Sequence, residues 1–417
     1  MLTREENELL VRVGPATPMG ALLREYWMPA ARSESLLADG KPLRVRILGE
    51  NFVVFRATDG RVGLFDEGCP HRCTSLALAR NEDNALTCIF HGWKIDVSGK
   101  VVEVPSEPPE RRAEFAAKVR VRHYPVREAG GAVWVYLGRN QQPPRFFDFE
   151  FTALPSTQVA CSKAILHCNW LQAIETTIDS SHLGVLHASW LNLGNNGNAI
   201  ASANNGPHYD YLLAPYGFRE AALRDLPDGS VYQRIREVVA PFYSFVPAHS
   251  ERPQLMICAV PIDDQWTNLW YWEYDRTRPL AGQYLFSRAN ADNWDNTAAR
   301  LGSAEQVWGQ DRKALKEGHW TGMPSLTFED FVVAEAPGPI ADRTREYLGS
   351  SDSTPIRFRR MMLNAARAFA RGEPPLGQTE PVDYAKIRAV ALRAPRELDW
   401  RTVDPLRPPQ SLPMGPG

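Results

Sequence analysis

Cys69-Pro70-His71 and, after residues 72 to 87, Cys88-Ile89-Phe90-His91-Gly92-Trp93 place one cysteine and one histidine on each of two short stretches of a 417-residue chain. That alternation suits a two-iron cluster with one iron on thiolates and the other on imidazoles, because each loop then gives one ligand to each iron. Two neutral imidazoles in place of two thiolates leave less negative charge around the cluster. They raise its reduction potential and fit it to donate electrons to an oxygen-activating iron. The competing reading is a structural Cys2His2 zinc site, which uses the same four ligand types. Zinc modules usually group cysteine with cysteine and histidine with histidine, and they give Gly92-Trp93 no special place. Cys73 follows His71 by two residues. With four ligand positions already filled, it is expected to be a packed or supporting thiol.

Two such loops need a small rigid scaffold, and the surrounding sequence offers one. From Leu43 to about Tyr136 short β-type runs alternate with turn residues, and Asp59-Gly60 and Ser98-Gly99 are hairpin signals, so an antiparallel β domain is expected. Gln141 to Pro155, rich in proline and phenylalanine, reads as a connector. Before the β domain, residues 4 to 12 form a helical turn or two that Gly14 to Pro18 breaks. After it, residues 169 to 187 (NWLQAIETTIDSSHLGVLH) carry apolar side chains at helical spacing. Alternating strands follow at 211 to 224, 231 to 246, 254 to 262 and 266 to 275, with helical patterns at 297 to 316 and 357 to 371.

The 169 to 187 segment holds a second constellation. Asp179 and His182 are about one helical turn apart and therefore neighbours. His182 and His187, five residues apart, overshoot a turn by roughly 140° and reach one metal only if the helix is distorted, for which Gly184 offers a place. Two histidines and a carboxylate on one face of a ferrous ion leave positions open for O2 and water. The third ligand has to come from elsewhere in the chain. Two histidines at this spacing are more often ordinary core or surface residues; the cluster motif upstream is what makes a metal site the better reading.

Charge and composition add limits. Forty-seven basic residues against 49 acidic ones give a net charge of -2, which calls for no nucleic-acid or anionic-membrane partner. No apolar run reaches the roughly 18 to 20 residues needed to cross a bilayer, and no basic segment followed by a hydrophobic one opens the sequence, so a cytoplasmic location is expected. Six cysteines are too sparse here for a disulfide framework.

Over nearly its whole length the sequence resembles the α subunits of Rieske non-haem iron aromatic ring-hydroxylating oxygenases, and within them the phthalate dioxygenase branch. The stretches that carry the resemblance are LTREENELLVRVGPATPMGALLREYWMPA, CPHRCTSLALARNEDNALTCIFHGWKIDVSG, NWLQAIETTIDSSHLGVLH and EDFVVAEAPGPIADRTREYLGSSD. The resemblance implies an α+β protein: a Rieske [2Fe-2S] domain over residues 40–145 and a helix-grip catalytic domain over 1–39 and 146–417, with a curved antiparallel sheet around a helix. It assigns Cys69 and Cys88 to one cluster iron, His71 and His91 to the other, and His182, His187 and Asp330 to a mononuclear Fe(II), with Glu329 and then Asp342 as rivals of Asp330. Asp179 matches the aspartate that bridges His182 to His91 of a neighbouring subunit, in a head-to-tail homotrimer or a stacked hexamer of α chains.

The activity implied is that of a terminal oxygenase component. It uses O2 and electrons from an NADH-dependent reductase with flavin and iron-sulfur centres to cis-dihydroxylate an aromatic carboxylate of phthalate, chlorobenzoate or phenoxybenzoate type. O-demethylation or N-dealkylation by the same metals is the alternative. An electron carrier or a zinc-stabilised binding protein are readings from other classes, and the first leaves everything after the β domain unexplained. A carboxylate substrate needs arginines in an apolar cavity. On the expected strands these are Arg219, Arg234 and Arg236, with Ser180 as a polar partner, and Phe242 to Phe245 and Trp270 to Trp272 are candidate lining or core residues.

Overall fold

The computed structural model describes residues 1–139, 142–192, 206–248, 253–280 and 304–412. Ten strands build the cluster region: β1 (Trp27–Arg32), β2 (Leu43–Ile47), β3 (Glu50–Arg56), β4 (Val62–Asp66), β5 (Arg80–Glu82), β6 (Ala85–Thr87), β7 (Lys94–Asp96), β8 (Val101–Glu103), β9 (Val126–Ala129) and β10 (Ala132–Tyr136). They form three small sheets, ordered β1-β10-β9, β2-β3-β4 and β5-β6-β7-β8, in which every pair is antiparallel. β1 precedes residue 40, yet it pairs with β10, so this sheet reaches across the division expected from the sequence.

One eight-stranded sheet carries the rest: β11 (Val159–Leu166), β12 (His208–Ala214), β13 (Gly217–Asp225), β14 (Val231–Val239), β15 (Tyr243–Val246), β16 (Gln254–Pro261), β17 (Thr267–Tyr274) and β18 (Val390–Ala394). Its order is β11-β17-β16-β15-β14-β13-β12. β15 and β18 lie end to end along one edge of β14, against Glu237–Val239 and Val231–Ile235. The expected strand at 211 to 224 is thus two strands joined by a hairpin, and 231 to 246 is divided around Pro241. β14 and β17 are buried at every residue because both faces of the sheet are covered. Trp270 and Trp272 of β17 point to the cluster side, where Trp272 stacks on Trp134 of β10 at 5.2 Å; Phe242 and Phe245 also pack in the core. These four are core residues.

The helix Trp170–Ile178 packs against β15, β16 and β17. Asn169 sets its start: its side chain accepts from Leu171 N–H and donates to the carbonyls of Val11 and Asp264, all in the interior. Gln172 ties this helix to the helix Leu326–Glu335, donating to Ala334 O and Gly338 O at 2.9 Å while accepting Ala341 N–H at 2.8 Å. Each of these buried backbone groups would cost about 1–3 kcal/mol if left unpaired, so one glutamine fixes how the two helices meet. Glu175 adds a buried ion pair with Arg343 and another with Arg359, the latter on the helix Ser353–Ala370. Of the helical pattern expected at 297 to 316, residues 297–303 lie outside the described residues, and the remainder is a 3-10 turn at Ala304–Gly309 and a short helix at Arg312–Lys316. Among the described residues no helix is long and apolar enough to cross a membrane.

Candidate metal centres

Both cluster loops repeat one backbone pattern. Cys69 N–H donates to Thr74 O and Cys73 N–H to Cys69 O, both at 2.8 Å; Cys88 N–H donates to Trp93 O at 2.9 Å and Gly92 N–H to Cys88 O at 3.0 Å. The fourth residue past each cysteine is left-handed, Cys73 with φ 57° and Gly92 with φ 72°. A Cβ on Gly92 would lie 2.8 Å from Pro105 Cγ, which is why glycine stands there. The packed role expected for Cys73 needs correction: its side chain is exposed, and the residue occupies the turn position equivalent to Gly92.

His71 stacks on Trp93 at 4.7 Å and 5°, and His91 meets His71 edge-on at 4.5 Å. Buried Trp93 is held by a bond from its Nε1 to Ser106 Oγ, so the Gly92-Trp93 pair shapes the loop and backs the His71 ring. Nδ1 of His71 and Nδ1 of His91 are buried with no hydrogen-bond partner among the described residues. Cys69 and Cys88 are both buried, and burial, reinforced by Cys88, pushes the Cys69 thiol up to about 11. Orphaned imidazole nitrogens and paired buried thiols are costly without a metal, and they fit a cluster that takes two nitrogens and two thiolates.

At the second site the helix ends at Ile178, and Asp179 leaves it with extended backbone while its Oδ1 accepts Ser181 N–H at 2.7 Å. The break therefore falls at Asp179 and not at Gly184, which lies inside the short helix Leu183–Leu186. His182 precedes that helix and His187 follows it, and their rings come within 5.1 Å at 84°. Asp330 Oδ1, from the Leu326–Glu335 helix, lies 3.6 Å from His182 Nε2 and 3.1 Å from His187 Nε2. One ligand atom from each of the three residues falls within 4.8 Å of the others, a spacing that one ion can bridge. Asp330 Oδ1 is buried and makes no hydrogen bond among the described residues, as suits an atom that faces a cation.

Each histidine meets a carboxylate on its other ring nitrogen: Asp179 Oδ2 is 3.3 Å from His182 Nδ1, and Glu329 Oε2 is 2.6 Å from His187 Nδ1. Burial raises the Asp179 carboxyl, but the hydrogen bond and charge of His182, with Ser181 N–H and Arg236, outweigh it and leave the group below its usual range. Glu329, on the far edge of His187 from Asp330, is not placed as a ligand. Asp342 is exposed and bonded to Thr344, away from the site.

Residues 26–125 match the Rieske [2Fe-2S] domain family, and residues 135–408 match the LigXa C-terminal domain like family. The phthalate 4,5-dioxygenase oxygenase subunit of Pseudomonas putida is 38% identical, over 96% of this chain and 94% of that one. The chain belongs to the Rieske terminal oxygenases. Another relative, the 3-chlorobenzoate-3,4-dioxygenase oxygenase subunit of Comamonas testosteroni, is 34% identical over 96% of this chain and 98% of its own. The terminal oxygenase of carbazole 1,9a-dioxygenase from Novosphingobium sp. KA1 shares the fold, with a TM-score of 0.59 and 17% identity over 90% of this chain and 98% of that one.

A Rieske terminal oxygenase is an oxidoreductase with a [2Fe-2S] cluster and a mononuclear iron, and the donor sets described above fit those two groups. The readings as a zinc protein or a bare electron carrier fall away, since the oxygenase relatives match across both regions.

The arginines divide by strand face. Register pairs Arg219 with Glu237, Glu220 with Arg236 and Ala222 with Arg234, so Arg234 and Arg236 share the face of Glu220 and Arg219 lies on the other. Arg219 ion-pairs with Glu237 at 2.8 Å, donates to Val403 O and sits over Trp400. The structure does not bring it to the iron. Arg236 donates to Thr177 O, and Arg224, missed in the sequence, donates to Ser180 O at 2.6 Å, so two guanidinium groups hold the chain on either side of Asp179. Arg234 is different. It lies between Tyr232, which packs with Leu183, and Arg236, which reaches Thr177, on the same face of β14. It is 4% exposed, its Nε is buried with no hydrogen-bond partner among the described residues, and buried Glu220 on the same face acts on it through charge. Ser180 Oγ is likewise buried with no hydrogen-bond partner among the described residues.

Proposed function

We propose that this terminal oxygenase cis-dihydroxylates the ring of an aromatic carboxylate, and that Arg234 and Ser180 receive the carboxylate. The observation that carries this reading is the buried Arg234, whose Nε has no hydrogen-bond partner among the described residues, on the sheet face from which Arg224 and Arg236 reach the turn that bears Asp179 and His182. A buried guanidinium with an unsatisfied donor is costly, and a bidentate carboxylate offsets that cost while fixing the orientation of the ring. The names of the two relatives, a phthalate and a chlorobenzoate dioxygenase subunit, support the same substrate class and favour dihydroxylation over O-demethylation.

Cys69, His71, Cys88 and His91 would hold the cluster, and His182, His187 and Asp330 the mononuclear iron. The metals, when bound, supply one-electron transfer and O2 activation. The protein holds the histidines with their Nε2 atoms together, excludes water with the buried β14 and β17 faces, and keeps Asp179 ionised at His182 Nδ1. With 29% of its side chain exposed, Asp179 can accept a second hydrogen bond from His91 of a neighbouring copy, in a head-to-tail trimer or stacked hexamer. The electrons come from an NADH-dependent reductase with flavin and iron-sulfur centres, in the cytoplasm.

The test is O2 uptake by the purified oxygenase with a matched reductase over phthalate isomers, chlorobenzoates, phenoxybenzoates and methoxylated benzoates. Cis-dihydrodiols from a carboxylated ring are expected. Formaldehyde from methoxylated substrates, with no diol from any of the others, would replace this reading with O-demethylation.

A further inference from the structure

Two carboxylates brace the histidine pair, and only Asp179 has been given a task. Glu329 is 1% exposed, and both its oxygens are engaged: Oε2 with His187 Nδ1 at 2.6 Å and Oε1 with the Thr321 hydroxyl. Thr321 is itself held. Its Oγ1 accepts Met323 N–H at 3.2 Å, while His319 Nδ1 accepts the N–H groups of Thr321 and Gly322 at 3.3 and 2.9 Å. Gly322 has φ 68°, and a Cβ there would collide with the Asp311 carbonyl. The helix has no need of Glu329 as a cap, since Ser325 Oγ already accepts Phe328 N–H. A buried acid held this carefully is expensive unless something compensates for it.

We propose that Glu329 is a positioning residue for the mononuclear iron. A carboxylate can only accept, so its contact fixes His187 as the Nδ1–H tautomer and leaves Nε2, 3.1 Å from Asp330 Oδ1, as the free lone pair. Thr321 and the loop folded onto His319 keep the carboxylate from swinging away. Glu329 also sets a further negative charge behind a ligand ring, which makes that ring a better donor to a divalent ion. His182 and Asp179 form the more exposed counterpart, with side chains 19% and 29% exposed against 1% and 0% for His187 and Glu329. The exposed pair faces outward, and the enclosed pair secures the metal.

This inference rests on the reading of His182, His187 and Asp330 as iron ligands, and the experiment separates the two. Wild-type, E329Q, E329A, T321V, D330A and H187A proteins are stripped of chelatable iron and titrated anaerobically with Fe(II) against a competing chelator. Cluster absorbance reports folding, and Co(II) in the same site gives a ligand-field spectrum that a merely structural role would not move. E329A is expected to bind Fe(II) roughly 10–100-fold more weakly with an altered Co(II) spectrum. E329Q, which keeps an acceptor for Nδ1–H but loses the charge, is expected to lose less, and T321V less again. Wild-type affinity and an unchanged Co(II) spectrum in both Glu329 variants would overturn the inference. So would a D330A protein that keeps its iron while E329A loses it, because Glu329 would then be the ligand. Should E329A lose its cluster through misfolding, the isosteric E329Q decides. If the wild type holds no chelatable iron, or H187A binds it as well as the wild type does, the ligand reading fails instead.

Discussion

The four proposed cluster donors all come from residues 69 to 91, on loops locked by backbone hydrogen bonds of the same pattern, whereas the proposed iron ligands are two histidines from one turn and Asp330 from a separate helix. Local backbone therefore shapes the first site, and long-range contacts shape the second: Gln172 between the two helices, Arg224 and Arg236 on the 177–180 turn, and Thr321 behind Glu329. A site of the first kind should tolerate change outside its loops. One of the second kind should respond to residues that never touch the metal.

The sharpest test of that contrast removes one ligand from each site. D330A should lose the mononuclear iron, by more than the roughly 100-fold that marks loss of a group behind a ligand, and abolish turnover while the cluster spectrum stays intact. C88S should do the reverse, bleaching the cluster and leaving Fe(II) binding in place. If either substitution empties both sites, the two are not independent structures. D179N comes next. It keeps the shape of the turn but weakens acceptance from His182, so turnover should fall on the order of 100-fold with both metals loaded, as metal analysis and single-turnover oxidation of the cluster would report.

Substrate recognition is expected to follow strand faces. R234A should reduce kcat/KM by roughly 30-fold or more, the about 2 kcal/mol expected when one partner of a buried charge pair is removed, with the loss mainly in KM. R219A, on the opposite face, should leave kcat/KM for the same carboxylate within about twofold, although loss of its pair with Glu237 will lower stability. Equal effects of the two would sink the assignment of Arg234.

The same contrast explains what the sequence could reveal. The cluster motif is contiguous, so its residue types and spacing carried the chemistry without knowledge of the fold. Asp330 gave no local signal of its own, and only the resemblance pointed to it. The helix end at Asp179 was hidden because Ile178 and Val185 continue the apolar rhythm, although Asp179-Ser180-Ser181 is a run of turn formers. Arg219 and Arg234 could not be told apart because their faces depend on register. Arg234 opposes Ala222, three residues from Arg219, and an odd offset along a strand reverses the face. That register is set by the turn at residues 226 to 230, where Leu226 N–H donates to Ser230 O and joins β13 to β14.

The smallest expected effect tests the equivalence of the two cluster loops. G92A puts a Cβ at φ 72° and against Pro105, and should cost about 1–3 kcal/mol of stability. Cys73 stands at the matching position with φ 57° and an exposed side chain, so it bears a similar backbone cost, about 1–2 kcal/mol, with little packing in return. C73G removes that cost but frees the unfolded chain, which takes back roughly 0.4–1 kcal/mol. The balance is a gain of up to about 1.5 kcal/mol, read as a Tm higher by up to about 2 °C with an unchanged cluster spectrum. A lower Tm or a shifted spectrum in C73G would mean that the thiol supports the cluster, and that the two loops share a backbone path without sharing its purpose.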